Sequence, residues 1–431
     1  MHNPTVLLAL VSAASAQPLC DAAIDIGWRE VEGALVEPRA PVDYHVDLEA
    51  LQLLGRVVDA LQAREIRVVI ALVPERTHTV LASSPGEITS PRWLAEERPY
   101  QAALAYFRDH GALAPDLGLV ARQAQSAGVD FFRPDDGHWS GDGGAAAAEV
   151  LAAALLDERP WTWAGSTPTD LVVRTRPDPD RSGWHRKELE KLCGDAGVDP
   201  PALKTIRART PPLGSESLLG ELPPAPVVVV GSSFARPGSG FPQALAAALD
   251  ADVLTVAIVS GRVVTPLRAW LASADLEHAK PEVLVWILPT HHLFAPAAPP
   301  QASLHRGTGF RLLLPMLDGG CADDNTVRQL AARGNASLLS TADPPLPSRG
   351  HYLQFDGGNA LYARFGLEVD YADGTREVVE FSPDERLGAV GSLAFELRQD
   401  TAAEVVAIRT TATPRGGLEG STIRACRYRD H

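Results

Sequence analysis

The chain has 431 residues, and its 45% hydrophobic and 22% charged content is ordinary for a globular protein with room for two or three domains. The formal net charge of −15 argues against a nucleic acid as partner, because phosphate binding requires clustered lysine and arginine. The same charge opposes an anionic ligand unless a local basic strip overrides it.

The first segment of the chain has the pattern of a secretory signal. Residues 5–16 are apolar or small and end in Ala-Ser-Ala, which is typical of a signal-peptidase site. We therefore predict a signal peptide over residues 1–16 and an exported, periplasmic protein. A misassigned start or a buried first helix is the alternative, because no lysine or arginine precedes the apolar run. No later stretch reaches the ~20 apolar residues of a membrane-spanning helix.

The four cysteines are Cys20, Cys193, Cys321 and Cys426, and none of them forms a CxxC motif, so a zinc site is not expected. No metal and no cofactor are predicted for this chain. An even number of cysteines in an exported protein favours two disulfides. Two cysteines fall in each half of the chain, so we predict the pairs Cys20–Cys193 and Cys321–Cys426. Four cysteines nevertheless allow three pairings.

The first part of the chain alternates helical and strand patterns. The predicted elements are a helix within residues 42–64, a strand at 67–73, a loop at 74–92, a helix within 100–127, a strand at 129–132 and a helix at 143–155. Repeated alternation of this kind predicts a doubly wound or three-layer α/β sheet.

Residues 157–222 show no regular pattern and hold several tryptophans and basic residues, among them Trp184, Arg174 and Arg176. Aromatic rings stack on pyranose rings and cations pair with carboxylates, so this composition suits a sugar acid. We predict Arg174 and Arg176 as substrate contacts. A solvated insertion, partly neutralised by its own acidic residues, is the alternative.

The stretch Pro226–Phe234 organises the rest of this α/β part. Its four consecutive valines predict a strand buried on both faces, which ends at Gly231, and Phe241–Leu249 is predicted as the next helix. A serine on the turn between them lies at the carboxyl edge of the sheet, where ligands bind and N–H groups can hold an oxyanion. A chance Gly-Ser-Ser turn is the alternative.

A serine nucleophile needs a base, and the base needs an orienting carboxylate. Asp136 and His138 supply both, and residues two apart point the same way in an extended segment. We therefore predict a triad of Ser233, His138 and Asp136, with Ser232 as the rival nucleophile. The backbone N–H groups of Ser233 and Gly261 are the predicted oxyanion donors.

The composition changes after residues 295–301, an Ala-Pro-rich linker. Short alternating segments such as Leu367–Tyr371, separated by turns such as the Asp-Gly at 373–374, then predict a β-sandwich over residues 305–431. The preceding residues 17–300 are predicted as the α/β domain. An all-β module behind an enzyme is often carbohydrate-binding, and a purely structural cap is the alternative.

Two motifs carry a resemblance to known families. The Gly-x-Ser-Phe turn at 231–234 resembles the nucleophile block of SGNH (GDSL-type) hydrolases. The Asp-x-His-Trp motif at 136–139 lies before the serine in the chain, and this order resembles that of the alginate O-acetyltransferases of the AlgX/AlgJ type. The likeness continues at Val73–Arg76, Leu192–Gly194, Gly261–Arg262, Trp270–Ser273 and the strand Pro281–Pro289 with Trp286.

The pattern resembles most the AlgX-like branch, which carries a carbohydrate-binding module behind the catalytic domain. The late strand departs from that pattern. An acidic residue after the tryptophan and a Glu-Arg after the proline are expected there, and this chain has Ile287, Thr290 and His291 instead.

The resemblance implies an SGNH-hydrolase-like three-layer α/β domain followed by a small β-sandwich of the carbohydrate-binding-module type. It implies an acyltransferase that moves an acetyl group onto hydroxyls of an exopolysaccharide, with the mannuronate residues of alginate as the expected acceptors. Arg76 and Trp139, in the matching motifs, are further expected substrate contacts.

The resemblance also implies partners. These are an anionic polysaccharide such as alginate and an acetyl-donor protein or membrane acetylation machinery, with the chain acting as a monomer within an export complex. Two alternatives stay open at this point, because a triad does not specify the acceptor and a fold does not specify a function. They are a carbohydrate acetylesterase and a non-catalytic polysaccharide-binding component of a secretion complex.

Overall fold

The computed structural model describes most of the chain that follows residue 18. The described residues are 19–25, 27–31, 34–36, 44–46, 48–81, 91–159, 161, 163, 170–177, 183–194, 202–209, 225–259, 263–273, 276, 280–296, 311–318, 321, 328–330, 337–340, 342–356, 365–381, 392–411 and 422–428. The predicted signal peptide, residues 1–16, lies outside these ranges. Within them, no helix has both the length and the apolar character needed to cross a bilayer.

Helices and strands alternate in the first part of the chain, and strands dominate the last part. The α-helices are α1 (Asp21–Asp25), α2 (Leu48–Ala63), α3 (Arg76–Leu81), α4 (Pro91–Asp109), α5 (Leu117–Ser126), α6 (Gly141–Glu158), α7 (Trp184–Cys193), α8 (Phe241–Leu249), α9 (Val264–Ser273) and α10 (Leu313–Leu317). Short 3-10 turns lie at Ser233–Ala235, Pro237–Ser239 and Thr290–His292. The strands are β1 (Arg29–Val31), β2 (Ala34–Val36), β3 (Tyr44–Val46), β4 (Arg67–Val73), β5 (Asp170–Pro177), β6 (Ala202–Arg209), β7 (Val227–Gly231), β8 (Val253–Ala257), β9 (Val283–Pro289), β10 (Phe294–Pro296), β11 (Arg328–Leu330), β12 (Ser337–Leu339), β13 (His351–Asp356), β14 (Phe365–Tyr371), β15 (Arg376–Phe381), β16 (Ser392–Glu396), β17 (Val405–Thr411) and β18 (Thr422–Arg427).

A parallel sheet forms the centre of the first part, with the spatial order β4, β9, β7, β8. Every residue of β7 and β9 is buried, because helices cover both faces of the sheet. Val228 and Val230 pack in an apolar layer with residues of α2 and α9, whereas Val227 and Val229 pack in the opposite layer with residues of α6 and α8. This three-layer arrangement confirms the α/β fold class that the valine run predicted.

The last part of the chain contains two four-stranded antiparallel sheets, with the orders β11-β18-β13-β16 and β12-β17-β14-β15. Side chains of both sheets share one buried core, including Phe355 of β13, Phe395 of β16 and Val369 of β14. Alternate residues of β13, β14 and β16 face this core, and the two antiparallel sheets confirm the predicted β-sandwich. The predicted linker before it begins within β10, which pairs with β3, and its residues from 297 onward lie outside the described ranges.

Some local predictions are wrong. Within residues 157–222, where no regular structure was expected, β5 pairs with β6 in antiparallel register and α7 lies between them in the chain. Basic residues interrupt both strands, and they hide the apolar pattern from which a strand is recognised. The predicted strand at 129–132 is only an isolated bridge between Phe132 and Trp139. The predicted loop at 74–92 contains α3.

Disulfides join Cys20 to Cys193 and Cys321 to Cys426, which is the pairing predicted from the sequence. The first disulfide connects the residue before α1 to the last residue of α7, next to a small apolar cluster that contains Trp28. The second connects the chain before β11 to β18. The first disulfide therefore lies before the predicted linker, and the second lies after it.

The sandwich contacts the α/β part through α2. Arg56 of α2 donates two hydrogen bonds to the carboxylate of Glu396 on β16, and the bond from Nη1 to Oε2 measures 2.8 Å. Glu396 is fully buried, and its carbonyl accepts a further bond from Nε of Arg311 at 2.8 Å. Arg64, the residue after the end of α2, donates to the carbonyl of Leu317 at 2.7 Å. These polar contacts attach the sandwich to the helical layer of the sheet.

Candidate active site

The serine turn follows β7 at the carboxyl end of the parallel sheet. Gly231 ends the strand, and a Cβ on it would lie 3.0 Å from side-chain carbons of both Ala235 and Ile287, so the close packing favours glycine. Ser232 is buried, and Ser233 begins a 3-10 turn in which Ala235 N–H donates to the Ser232 carbonyl at 3.0 Å. Ser233 therefore lies at the edge where open α/β sheets bind ligands.

A second loop brings Asp136 and His138 to the same edge. The bridge between Phe132 and Trp139 closes this loop, and Arg133 N–H donates to the carbonyl of His138 at 2.9 Å. The sequence predicted an extended segment here, but the loop turns, so that the N–H of His138 donates to Asp136 Oδ1 at 3.0 Å. An aspartate side chain that bonds the backbone two residues later stabilises such a turn, and it holds the two side chains side by side.

The side chains of Ser233, His138 and Asp136 form a continuous hydrogen-bonded chain. Ser233 Oγ lies 2.6 Å from His138 Nε2, and His138 Nδ1 lies 2.5 Å from Asp136 Oδ1. When the neutral imidazole carries its proton on Nδ1, it donates to Asp136 and accepts from the Ser233 hydroxyl. A serine in this arrangement can lose its proton to the histidine and act as a nucleophile.

The carboxylate of Asp136 is kept ionised by its surroundings. Burial alone would raise its pKa, but the hydrogen bond and charge of the His138 ring, the His138 backbone N–H and the charge of Arg133 together bring the pKa of Asp136 well below its ordinary value. Asp136 is therefore negatively charged at neutral pH, and it can stabilise the imidazolium that forms when His138 accepts a proton.

The N-terminus of α7 holds Asp136 and its neighbour Asp135 from the opposite side. The N–H of Trp184 donates to Asp136 Oδ2 at 3.2 Å, and the N–H of Gly183 donates to Asp135 Oδ2 at 2.7 Å. Asp135 is 2% exposed and also pairs with Arg133 at 3.2 Å. Because the free N–H groups at a helix start favour carboxylates, α7 fixes the position of this loop. The sequence did not predict that role for α7.

Gly183 permits this contact, because a Cβ on it would lie only 2.0 Å from the carbonyl oxygen of Asp135. We expect Gly183→Ala to lower the free energy of unfolding by about 1–3 kcal/mol, since the helix start must move away from the loop. Gly137→Ala is the matched control, because a Cβ there meets nothing within 4 Å. It should change the same quantity by no more than about 0.5 kcal/mol. Chemical denaturation measures both, and equal effects would contradict the close contact.

The guanidinium of Arg76 has a position that differs from the one expected of a substrate contact. Arg76 is 4% exposed, and it donates to three backbone carbonyls: Arg133 at 2.9 Å, Pro134 at 2.6 Å, and Leu35. These bonds brace the segment just before Asp136, although Arg76 also borders the cavity described below. This structural role was not predicted, and binding of substrate by Arg76 stays a prediction.

Trp139 lies beneath the serine turn. Its indole is 3% exposed, stacks on Phe241 with 5.0 Å between ring centroids, and packs edge-on against Phe234 at 5.3 Å. The ring belongs to the apolar layer on the α8 side of the sheet. Its position supports a role in holding His138 in place, and it gives no support to the predicted contact with substrate.

The remaining predicted site residues lie partly or wholly outside the described structure. Gly261 is outside the described ranges. Arg174 and Arg176 lie on β5, opposite Thr205 and Leu203 of β6, and their side chains are not among those described. The oxyanion role of Gly261 and the substrate contacts of the two arginines stay predictions.

A cavity of about 490 Å³ opens next to Ser233, which is within the range of small-molecule sites. Polar and aromatic side chains beyond the hydrogen-bonded chain line it, including Glu75, Arg76, Trp184, His185, Phe234, His291 and His292. Of these seven, only Arg76 was predicted as a site residue, and Glu75, Trp184 and His291 are the unpredicted ones used below. The sequence signals for them were weak: a motif position, an aromatic in an irregular segment, and a departure from the family pattern.

Known proteins match most of this chain. A family model described as "SGNH hydrolase-like domain, acetyltransferase AlgX" matches residues 39–290, which is more than half of the chain. The "Alginate biosynthesis protein AlgX" of Pseudomonas aeruginosa is 24% identical over 372 residues, which are 83% of this chain and 74% of that protein. The "Probable alginate O-acetylase AlgJ" of Pseudomonas putida is 30% identical over 273 residues, which are 57% of this chain and 63% of that protein.

Among solved structures, that of Pseudomonas aeruginosa AlgX matches with a TM-score of 0.67 at 21% sequence identity. The match covers 95% of this chain and 100% of that chain, so it includes the sandwich as well as the parallel sheet. At this level of identity the likeness shows a shared fold.

Proposed function

The chain belongs to the family of SGNH hydrolase-like acetyltransferases described by AlgX, and on that premise we propose that it is an O-acetyltransferase that moves an acetyl group through Ser233 onto hydroxyls of an exopolysaccharide. One observation carries the proposal: the hydrogen-bonded chain from Ser233 through His138 to Asp136, at the edge of a cavity. Family membership supports acetyl as the group that is transferred, and the hydrogen-bonded chain supports a mechanism with a covalent intermediate.

The first half-reaction forms an acetyl-serine. Ser233 Oγ attacks the carbonyl carbon of the acetyl donor while His138 Nε2 accepts the hydroxyl proton. Asp136 stabilises the imidazolium through Nδ1. The tetrahedral intermediate then collapses, the bond to the leaving oxygen of the donor breaks, and that oxygen takes the proton from His138.

The second half-reaction repeats these steps with a sugar hydroxyl. His138 Nε2 accepts the hydroxyl proton, the sugar oxygen attacks the acetyl carbonyl, and Ser233 leaves with the proton that His138 returns. The sequence of events is a ping-pong acyl transfer. Water in place of the sugar hydroxyl would release acetate by the same steps, so the acceptor decides between transferase and esterase.

Both tetrahedral intermediates carry an oxyanion that needs N–H donors near the serine. We assign one donor to the backbone N–H of Ser233, which begins the 3-10 turn at the end of β7. The second proposed donor is the N–H of Gly261, on sequence grounds alone. One such donor is typically worth about 10²–10³ in rate.

The names of the relatives support a choice of acceptor. They are an alginate biosynthesis protein and an alginate O-acetylase, so the proposed acceptors are mannuronate residues of alginate. Because the formal net charge is −15, the proposal needs local cations for the sugar carboxylates, and Arg174 and Arg176 are the candidates. The sandwich is proposed as a carbohydrate-binding module, and an acetyl-donor protein or membrane machinery as the partner in the periplasm.

An assay that separates the two products tests this proposal. The protein is mixed with an activated acetyl ester and mannuronate oligosaccharides, and acetylated sugar and free acetate are measured separately. We expect mass spectrometry to find an acetyl group on Ser233 without acceptor, and transfer to sugar to exceed release of acetate with acceptor. Acetate as the only product would indicate an esterase. Absence of acetyl-Ser233 would indicate a non-catalytic polysaccharide-binding protein.

A further inference from the structure

The first residue of α7 presents a large apolar ring to the cavity beside Ser233. The side chain of Trp184 is 53% exposed, which is unusual for tryptophan, and it lines the same cavity as Ser233 and His138. An indole left open to solvent at the mouth of a pocket is available to a ligand with an apolar face.

The position of Trp184 is fixed by its backbone and by its neighbour. Its N–H donates to Asp136 Oδ2 at 3.2 Å, which ties the start of α7 to the aspartate of the hydrogen-bonded chain. Its ring meets the buried ring of His185 edge-on, with 5.2 Å between centroids. The backbone of Trp184 is therefore held at a set position beside Asp136, and the indole projects from a fixed helix start, which favours a pre-organised binding surface.

Polar groups that suit sugar hydroxyls line the same cavity. Glu75 Oε1 accepts from Thr290 Oγ1 at 3.2 Å and lies 3.4 Å from Nδ1 of His291. The His291 ring is 51% exposed and Glu75 borders the cavity, so both can also reach a ligand there. An apolar ring together with hydrogen-bonding groups matches a pyranose, which has an apolar face and a polar edge.

We propose that Trp184 is the platform on which the pyranose ring of the acceptor stacks, while Glu75 and His291 bind hydroxyls of the same sugar. The inference rests on the proposed acetyltransferase function, and it assigns the acceptor subsite of that function. It gives Trp184 two separate tasks. The backbone positions Asp136, and the side chain selects a pyranosyl acceptor over water.

The test separates acylation from transfer. Trp184→Ala keeps the backbone N–H and removes the ring, and Trp184→Phe restores a smaller ring. Leu192→Ala is the matched control, because Leu192 is an exposed apolar residue of the same helix that does not line the cavity. Acylation of Ser233 by an activated acetyl ester is followed in single turnovers, and transfer is followed as kcat/KM for mannuronate oligosaccharides. Thermal unfolding confirms that each variant is folded.

We expect Trp184→Ala to lower kcat/KM for the oligosaccharide about thirtyfold, which is a typical loss for a central aromatic contact. Acylation should change far less, Trp184→Phe should recover part of the loss, and Leu192→Ala should resemble the unmodified protein in both assays. Unchanged transfer in Trp184→Ala would overturn the proposal. An equal loss in acylation and transfer would also overturn it, because the side chain would then act through Asp136.

A direct measurement of oligosaccharide binding tests the Trp184 platform independently of acetyl transfer. Calorimetry with the same oligosaccharides is carried out on Ser233→Ala, with and without Trp184→Ala. Weaker binding in the double variant supports the platform even if the protein forms no acetyl-serine, in which case only the proposed catalytic function fails. Equal binding in the two variants overturns the platform.

Discussion

Replacing Ser233 by alanine is expected to lower the rate of acetyl transfer by about six orders of magnitude, or to the background rate, because the proposed acetyl intermediate forms on its hydroxyl. The variant should stay folded, since removal of one half-buried hydroxyl at the cavity leaves no hole in the core. A single-turnover assay with an activated acetyl ester measures the rate, and circular dichroism checks the fold.

Ser232→Ala is the matched control for this experiment. Ser232 is the adjacent residue and is buried, whereas the hydroxyl of Ser233 lies 2.6 Å from His138 Nε2. The control should therefore have a much smaller effect on the rate. His138→Ala should be nearly as damaging as Ser233→Ala, and combining the two should add little, because members of one catalytic unit are strongly non-additive. If Ser233→Ala is acylated at the normal rate, Ser233 is not the nucleophile. Ser232 would then be the candidate nucleophile, or the chain would be a binding protein.

Asp136→Asn is expected to cost about four orders of magnitude in rate. The carboxylate accepts from Nδ1 of His138 through one oxygen and from the N–H of Trp184 through the other. An amide can present its NH₂ group to the imidazole, which then holds its proton on Nε2 and cannot accept from Ser233. It also lacks the negative charge that stabilises the imidazolium. The rate of acylation in single turnovers measures the effect.

Asp157→Asn provides the same chemical change at an exposed position on α6 and should leave the rate unchanged. Urea denaturation of both variants separates loss of catalysis from loss of folding. A rate for Asp136→Asn within tenfold of the unmodified protein, with the fold intact, would show that another group orients His138. Asp135 would then be the next residue to replace, because it is buried beside Asp136 and bonded to the start of α7.

Much of the fold was predictable because its signals are local. The valines of β7 are buried on both faces, as a run without polar residues requires, and the predicted helix Phe241–Leu249 is α8. Strands of the sandwich were recognised by their alternation. The same rule failed for β5 and β6, where basic residues interrupt the alternation and the antiparallel pairing of the backbones identifies the strands.

In the candidate site, the three residues of the hydrogen-bonded chain were predictable from the sequence. Ser233, His138 and Asp136 were recognised because each residue type is required by the chemistry and because two of them lie two residues apart. Arg76 and Trp139 were predicted from motif positions alone. Nothing in a motif shows that a guanidinium will meet three backbone carbonyls or that an indole will enter the core.

The sequence by itself determined the secondary structure of the central strands and named the candidate reacting residues, since these depend on local periodicity and residue chemistry, but it left three pairings of the four cysteines open. Only the tertiary structure decided that Ser233 lies 2.6 Å from His138, which is 95 residues earlier, and that the start of α7 binds the two aspartates and presents Trp184 to the cavity. Such contacts arise when the parallel strands end at one sheet edge and a helix packs across it. Their partners are distant in the chain, so no local pattern encodes them.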